Sequence, residues 1–397
     1  MGYQKGNRKL FIDNEAVSTL ALLKEKILLP CDKLMNKKES LYVDKYSKYK
    51  NQLFPFSFIL APSGKRNAKV LQEAKKGDTL DLICEKEKKG EIVVDEIFKI
   101  NKEKRIKKIF TTTDLEHPGV KDIYKRLGDL AISGEFEIDS SSIKKTKQEI
   151  KKAKELIKAT KTTAIVLSGK PLHRAHERMI RMALEKSDLV VLFLLKPFKK
   201  DIFSYEIRYK ALKYFTDNFL PKNKVLIVPL ENSYLFAGYN NIILDSIVTK
   251  NFGCDSIAIG QNHSGIGLYY EKDSICSTVK NFKNIGIDID MVNEFVYCNE
   301  CRTLVSTRAC PHGSHHHISY NAKLIAELYK VGVLPPAVLV RKEISAIILS
   351  ELFPNRIKYV RDKFANFFPN SGLIETKMND REFYMQIMNL HQTTSLT

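Results

Sequence analysis

The 397-residue chain is 44% hydrophobic and 28% charged, the balance of a folded protein, and it is longer than one core sustains, so two or three domains are expected. Lysine and arginine exceed aspartate and glutamate by 65 to 46, a net charge of +19; this favours anionic partners but selects none, because runs such as EKEKKG and NKEKRIKK suit a solvated face. DLVVLFLL at 188–195 is only strand length and MGYQKGNRKLFI has no apolar signal segment, so neither a membrane span nor secretion is read, and the expected location is the cytoplasm.

In chain order, residues 77–127 read as short β-rich pieces separated by charged turns and closed by the His-Pro-Gly turn signal at 117–119, the pattern of a small β-rich domain. SSSIKKTKQEIKKAKELIKATK follows, a serine cluster able to cap a basic helix that runs to about Lys161 and links domains. The rhythm then changes. TTAIVLSG, DLVVLFLLKP, KVLIVPL and SIAIGQNHSG are apolar strands, and PLHRAHERMIRMALEKS, IFSYEIRYKALKYFTDNF and IILDSIVTKNFG are helices between them. Strands apolar throughout and alternating with amphipathic helices predict an α/β fold with a doubly wound parallel sheet, which binds ligands beyond the carboxyl ends of its strands. From Glu294 a cysteine and histidine segment interrupts the alternation, and a mostly helical region completes the chain. The expected domains are 1–160, 161–293 and 294–397.

Three stretches carry candidate chemistry. In PLHRAHE, Pro171 suits a first helical turn, which places His173 and His176 about one turn apart on one face. A helix start has unpaired N–H groups and positive partial charge, so two histidines there suit phosphoryl oxygens and the charge that develops in phosphoryl transfer; surface or capping histidines are the plain alternative. Lys170, just before the proline, can reach a phosphate as a point charge. The spacing does not fit the His-Glu-x-x-His of zinc proteases, and SGK at 168–170 lacks the spacing of a P-loop. GQNHSGIG follows an apolar strand, so Gly260, Gln261, Asn262, His263 and Ser264 are candidates for nucleotide binding, although a lone glycine-bearing turn is weak support.

The third stretch is YCNECRTLVSTRACPHGSHHH. Seven cysteines, an odd number without a secretory signal, argue against a disulfide framework. Cys298, Cys301 and Cys310 with a nearby histidine instead fit a closed, structural Cys3His zinc site. His315 has the most comfortable spacing as the fourth ligand, and His312 is the alternative.

These motifs occur in an order that resembles ATP sulfurylase (sulfate adenylyltransferase) of the zinc-containing bacterial and archaeal type, over nearly the whole length. TDLEHPGV resembles the Thr-Asp-x-x-His-Pro-Gly-Val that ends the family's PUA-like N-terminal domain. PLHRAHE matches its phosphate-binding stretch, GQNHSGIG stands at its Gly-Arg-Asp-His-Ala-Gly, and VYCNECRTLVSTRACPH resembles its zinc segment. The resemblance implies a PUA-like domain, then a nucleotidyltransferase domain with a zinc-binding insert and a small helical C-terminal region. It implies ATP and a small oxyanion as ligands, magnesium with ATP, and a homodimer rather than a nucleic-acid complex. His173 and His176 would stabilise the transferring phosphates, the 260–267 turn would hold the nucleotide, and Arg208, in EIR, would match the family's Glu-Val-Arg. Leu167, Gly169 and Lys170 stand where the family has Gln-x-Arg-Asn, and Gln261 and Asn262 where it has arginine and aspartate. Two further readings follow from those departures: a nucleotidyltransferase with another acceptor or nucleotide, and a non-catalytic nucleotide- or RNA-binding homologue.

Overall fold

The computed structural model describes residues 8–196, 198, 201–231, 238, 240–261, 285–356 and 379–391. The chain divides into two compact units, Met1–Val166 with Ser187–Phe198 and Val228–Val292, and Leu167–Lys186 with Lys199–Ile227 and Asn293–Thr397.

The first unit opens with β1 (Arg8–Phe11), α1 (Asn14–Lys24) and α2 (Lys37–Tyr46), the last started by a capping box between Asn36 and Glu39. A short hairpin, β2 (Lys48–Tyr49) and β3 (Gln52–Leu53), leads to β4 (Leu60–Pro62) and α3 (Lys65–Glu73). β5 (Thr79–Cys84), β6 (Glu87–Lys99) and β7 (Leu127–Ile138) complete a five-stranded sheet of order β1-β5-β6-β7-β4. The β6–β7 ladder shifts register between Val94 and Glu96, and there a Cβ at Gly134 would lie 1.8 Å from the Val93 carbonyl oxygen. Only glycine fits that approach.

Residues 77–127 are less β-rich than their sequence suggests. α4 (Lys102–Phe110) starts on Asn101, whose side chain accepts from Lys104 N–H, and it buries Ile106, Ile109 and Phe110. That i, i+3, i+4 set is a helical stripe inside the lysine run. The His-Pro-Gly signal starts a helix rather than closing a turn: His117 is the N-cap of α5 (Pro118–Arg126), with Pro118 in its first turn. The basic helix α6 (Ser141–Ile157) ends at Lys158, which adopts the left-handed conformation, slightly before the expected Lys161.

Beyond α6 the alternation read from the sequence is present. β8 (Thr162–Leu167), α7 (Arg174–Leu184), β9 (Leu189–Lys196), α8 (Tyr205–Phe219), β10 (Val225–Glu231), α9 (Asn240–Asn251) and β11 (Ser256–Gly260) succeed one another, and β12 (Asp288–Val292) follows. Every residue of β8 is buried, as are Leu189 to Leu194 of β9, and each large aliphatic side chain so buried contributes roughly 1.5–3 kcal/mol. The sheet order is β10-β9-β8-β11-β12, with β11 parallel to both β8 and β12. Strand order therefore reverses between β8 and β11, and the carboxyl ends at such a reversal are where open α/β sheets bind ligands.

The second unit adds a three-stranded antiparallel sheet of order β14-β13-β15, formed by β13 (Phe295–Cys298), β14 (Thr303–Ser306) and β15 (His317–Ser319). Helices α10 (Ala322–Lys330), α11 (Lys342–Leu352) and α12 (Asp380–His391) follow, with α11 packed on α8 and α12.

Candidate active site

Residues 168–173 connect β8 to α7. Gly169 adopts a φ of +60°, which a side chain would strain. Pro171 lies in this turn, and the helix begins three residues later, at Arg174, with His173 as its extended N-cap residue. That offset decides how the two histidines meet. The backbone N–H of His173 donates to His176 Nδ1 at 3.4 Å, and the rings stack with centroids 3.7 Å apart and planes 19° apart. An accepting Nδ1 makes His176 the tautomer whose proton is on Nε2.

Both rings are neutral at pH 7. Burial, then the neighbouring His176, pushes His173 well below its usual 6.5, and burial alone brings His176 down to about 4. The helix start therefore offers neutral donors rather than the positive charge that a histidine pair suggests. His173 is 7% exposed, and its Nδ1 is buried without a hydrogen-bond partner.

The helix start is also less open than its sequence suggests. Arg174 N–H donates to the Leu339 carbonyl at 2.9 Å and Arg174 Nε to the Ala337 carbonyl at 3.3 Å. One turn on, Glu177 is 4% exposed; its Oε2 accepts from Arg341 Nε at 2.8 Å and lies 3.5 Å from Arg174 Nη1. Burial raises the Glu177 carboxyl against the attraction of Arg174 and Arg341. Arg341 in turn lies 4.1 Å from the Phe219 ring centroid. Tyr320 stacks on His173 at 5.5 Å and donates its hydroxyl to the Val338 carbonyl at 3.0 Å. Glu177, Arg341 and Tyr320 had no local signal, since each acquires its place from a partner distant in the chain.

The histidine pair gives stability a direction with pH. Unfolded chains protonate near the ordinary 6.5, whereas folded His176 resists to about 4; its contribution is complete above 6.5 and is lost as pH falls through that window. Glu177 acts oppositely, because its raised carboxyl keeps a proton in the folded state where the unfolded chain has lost it. Urea unfolding between pH 4 and 7 is expected to show a shallower acid loss for His176→Gln than for the parent, and equal slopes would refute the assignment.

Lys170 and Arg208 are both engaged. Lys170 Nζ contacts Asp201 Oδ2 at 2.7 Å, with both side chains about one-third exposed. Burial would raise Asp201, but bonds from Lys170 and from Phe203 N–H outweigh it and hold the carboxyl below its usual range. Arg208, a candidate nucleotide contact, is 3% exposed, and its guanidinium donates to the carbonyls of Ser168, Phe203 and Ser204 at 2.6, 3.0 and 3.2 Å. It braces the loop after β8 by holding its backbone. Gly260 ends β11, and Gln261 donates its N–H to the Val292 carbonyl at 3.3 Å. Asn262, His263 and Ser264 lie outside the described residues.

The cysteine segment converges, with a change of histidine. Cys298, Cys301, Cys310 and His312 place one ligand atom each within 4.8 Å of one another. His312 Nδ1 is 3.4, 3.3 and 3.7 Å from the sulfurs of Cys298, Cys301 and Cys310, and Cys301 and Cys310 sulfurs are 3.9 Å apart. A tetrahedron built on zinc bond lengths has edges of about 3.8 Å between sulfurs and about 3.6 Å from sulfur to nitrogen. The donor set fits that ion. His315, favoured by spacing, is exposed, and its ring lies tilted against that of His316 with centroids 4.1 Å apart. His312 reaches the cysteines directly after Pro311, whereas His315 falls in the short helical turn Ser314–His316, none of whose residues is buried. Burial opposes ionisation of Cys298, but bonds from the backbone of Cys301 and from Cys310 bring it down to about 7, whereas desolvation and the neighbouring Cys298 raise half-buried Cys301 to about 11.

Comparison with known proteins supplies what this geometry alone does not. Residues 141–351 match the ATP-sulfurylase family model, and residues 3–140 match a PUA-like domain. A sulfate adenylyltransferase of Chloroflexus aurantiacus is 28% identical over 352 residues, 85% of this chain and 90% of its own. One of Persephonella marina is 28% identical over 353 residues, 86% and 90% of the two chains. Among solved structures, a hexameric APS kinase from Thiobacillus denitrificans superposes with a TM-score of 0.64 at 15% identity, covering 87% of this chain. This chain spans 63% of the length of that protein, and the likeness is one of fold.

Proposed function

The chain belongs to the ATP-sulfurylase family, and we propose that it is a nucleotidyltransferase that joins ATP and sulfate to give adenosine 5′-phosphosulfate and pyrophosphate. A sulfate oxygen attacks the α-phosphorus, a new P–O bond forms, and the bond to the pyrophosphate oxygen breaks. The observation that carries the reading is the stacked, neutral pair His173 and His176 at the start of α7, directly after a β-strand at the reversal of sheet order. Neutral N–H donors in a dry site stabilise charge that grows on phosphoryl oxygens without first repelling or neutralising another group. His176 Nε2 and His173 are proposed as those donors, Lys170 as the cation for the acceptor, and Arg208 as the brace of the loop. Gly260, Gln261, Asn262, His263 and Ser264 are proposed to hold the nucleotide.

Magnesium, proposed to enter with ATP, would offset the triphosphate charge. Zinc is proposed at Cys298, Cys301, Cys310 and His312, where it would fix the three-stranded sheet. Domain limits at 1–160, 161–293 and 294–397, a homodimer and a cytoplasmic setting complete the proposal. Among the described residues no helix is long and apolar enough to cross a membrane.

Another oxyanion is the second reading, and a specific contact favours it: Lys170 is already paired with Asp201 at 2.7 Å, so an entering dianion must share that lysine with a carboxylate. Asp201→Asn keeps the oxygen that accepts from Phe203 while releasing Lys170. It is expected to lower KM for the oxyanion about threefold, and Lys170→Ala to raise it about tenfold, each with little change in kcat, as for binding shared by ground and transition states. Initial rates against oxyanion concentration test this, and unchanged KM values for both variants would remove Lys170 from the acceptor site.

The deciding assay incubates purified protein with ATP, magnesium, pyrophosphatase and a panel of oxyanions and measures phosphate release. Release with sulfate supports the first reading and release only with another oxyanion the second. Silence with every acceptor refutes both.

A further inference from the structure

We propose that Tyr320 is a positioning residue for His173, and that the Cys298, Cys301, Cys310 and His312 group holds Tyr320 in place through the three-residue strand β15. The inference builds on the reading of His173 as a phosphate contact, but its physical content is a connection between two sites.

The connection can be followed residue by residue. β15 pairs antiparallel with β13, and its first residue, His317, lies directly opposite Cys298. The same residue places Nε2 3.3 Å from the Cys310 sulfur. Asn299 N–H donates to the His316 carbonyl at 2.9 Å, so the backbone entering β15 is fixed beside the cysteines. A metal-bound thiolate is stabilised by such a ring N–H, and groups of this kind orient the ligands they touch. Ile318 and Ser319 continue the pairing opposite Tyr297 and Val296. Tyr320 comes next, where the strand has ended and its ring stacks on His173.

The far end is anchored as firmly. Three consecutive carbonyls accept from the two sides of the site: Ala337 from Arg174 Nε, Val338 from the Tyr320 hydroxyl, and Leu339 from Arg174 N–H. Tyr320 and the first residue of α7 are thus fastened to one segment of backbone. His173 needs such support, because its Nδ1 has no hydrogen bond to set the ring's rotation; ring contacts do so instead. With the ligand set filled, β15 is held at its first residue and the tyrosine ring is held against the histidine. With the set lost, the pairing opposite Cys298 loosens and the ring is released.

Histidine Cε1–H NMR spectra of the full chain, with the His173 signal identified by its loss in His173→Gln, test both halves. Tyr320→Ala is expected to move the His173 signal and to lower kcat about tenfold while KM for ATP stays within about twofold, and Tyr320→Phe, which keeps the ring, is expected to restore most of both. If Tyr320→Ala does not fold, Tyr320→Leu fills the volume without an aromatic face and carries the same expectation. His317→Gln retains every proposed metal ligand and cuts the contact to Cys310; it and zinc removal by a chelator are both expected to move the His173 signal in the sense seen for Tyr320→Ala. A His173 signal unmoved in the folded Tyr320 variant overturns the positioning role, and one unmoved by zinc removal overturns the link through β15. The spectra decide this even if turnover with ATP and sulfate is absent, which would refute the proposed reaction alone.

Discussion

Replacing His173 by alanine is expected to lower kcat/KM for ATP by about 10²- to 10³-fold, the usual loss when one preorganised donor to a developing oxyanion is removed. The local structure argues that this loss is chemical. The hydrogen bond that joins the two histidines uses the backbone N–H of residue 173, which alanine retains. Its ring nitrogen Nδ1 has no partner, so truncation leaves no neighbouring group newly unsatisfied. The variant should therefore melt cooperatively, with near-parent circular dichroism, and release phosphate slowly in the coupled assay. Removing His176 instead takes away the acceptor of that bond, so His176→Ala should combine a similar rate loss with about 1 kcal/mol of destabilisation. Full turnover by folded His173→Ala would exclude the ring from the chemistry.

The second large effect concerns metal. Structural zinc sites bind with an apparent 10–16 kcal/mol, so deleting one of four donors, about a quarter of that, should weaken zinc by about 10²- to 10³-fold. His312→Ala is expected to do this and His315→Ala to leave affinity unchanged, because of these two histidines it is His312 that lies among the three sulfurs. Competition against a coloured chelator measures both. Loss of zinc from His315→Ala with retention by His312→Ala would reverse the assignment.

The parts of the fold legible in the sequence are those whose signal is local and repeated. β8, β9 and β11 are short, mainly apolar runs, and the helices after β8 and β9 keep a buried and a polar side, the pattern of strands covered on both faces. The helix at 102–110 was legible in principle, since Ile106, Ile109 and Phe110 keep helical spacing among the lysines, but charge density obscured it. His117-Pro118-Gly119 carries a turn signal that serves equally as a helix start. The fourth donor of the cysteine set depends on which histidine the fold brings to the sulfurs, and spacing does not encode that. Arg208 has the residue type of a phosphate contact, yet a guanidinium serves three carbonyls just as well, and only burial distinguishes the uses. Least legible was the surrounding of His173. The ring state depends on burial, and the partners that supply it lie far along the chain.

That distance has a consequence for how the protein comes into being. Glu177 meets Arg341 across 164 positions, and Tyr320 and the carbonyls of Ala337 to Leu339 belong to the same late stretch. During synthesis α7 emerges with two ordinary, water-exposed histidines, basic near neutrality like those of any peptide. Tyr320, which stacks on His173, and the carbonyls that fasten Arg174 can join them only after the segment around 320–341 has been synthesised. A chain interrupted before Tyr320 would carry the whole PLHRAHE motif without the ring that stacks on His173 or the arginine that meets Glu177.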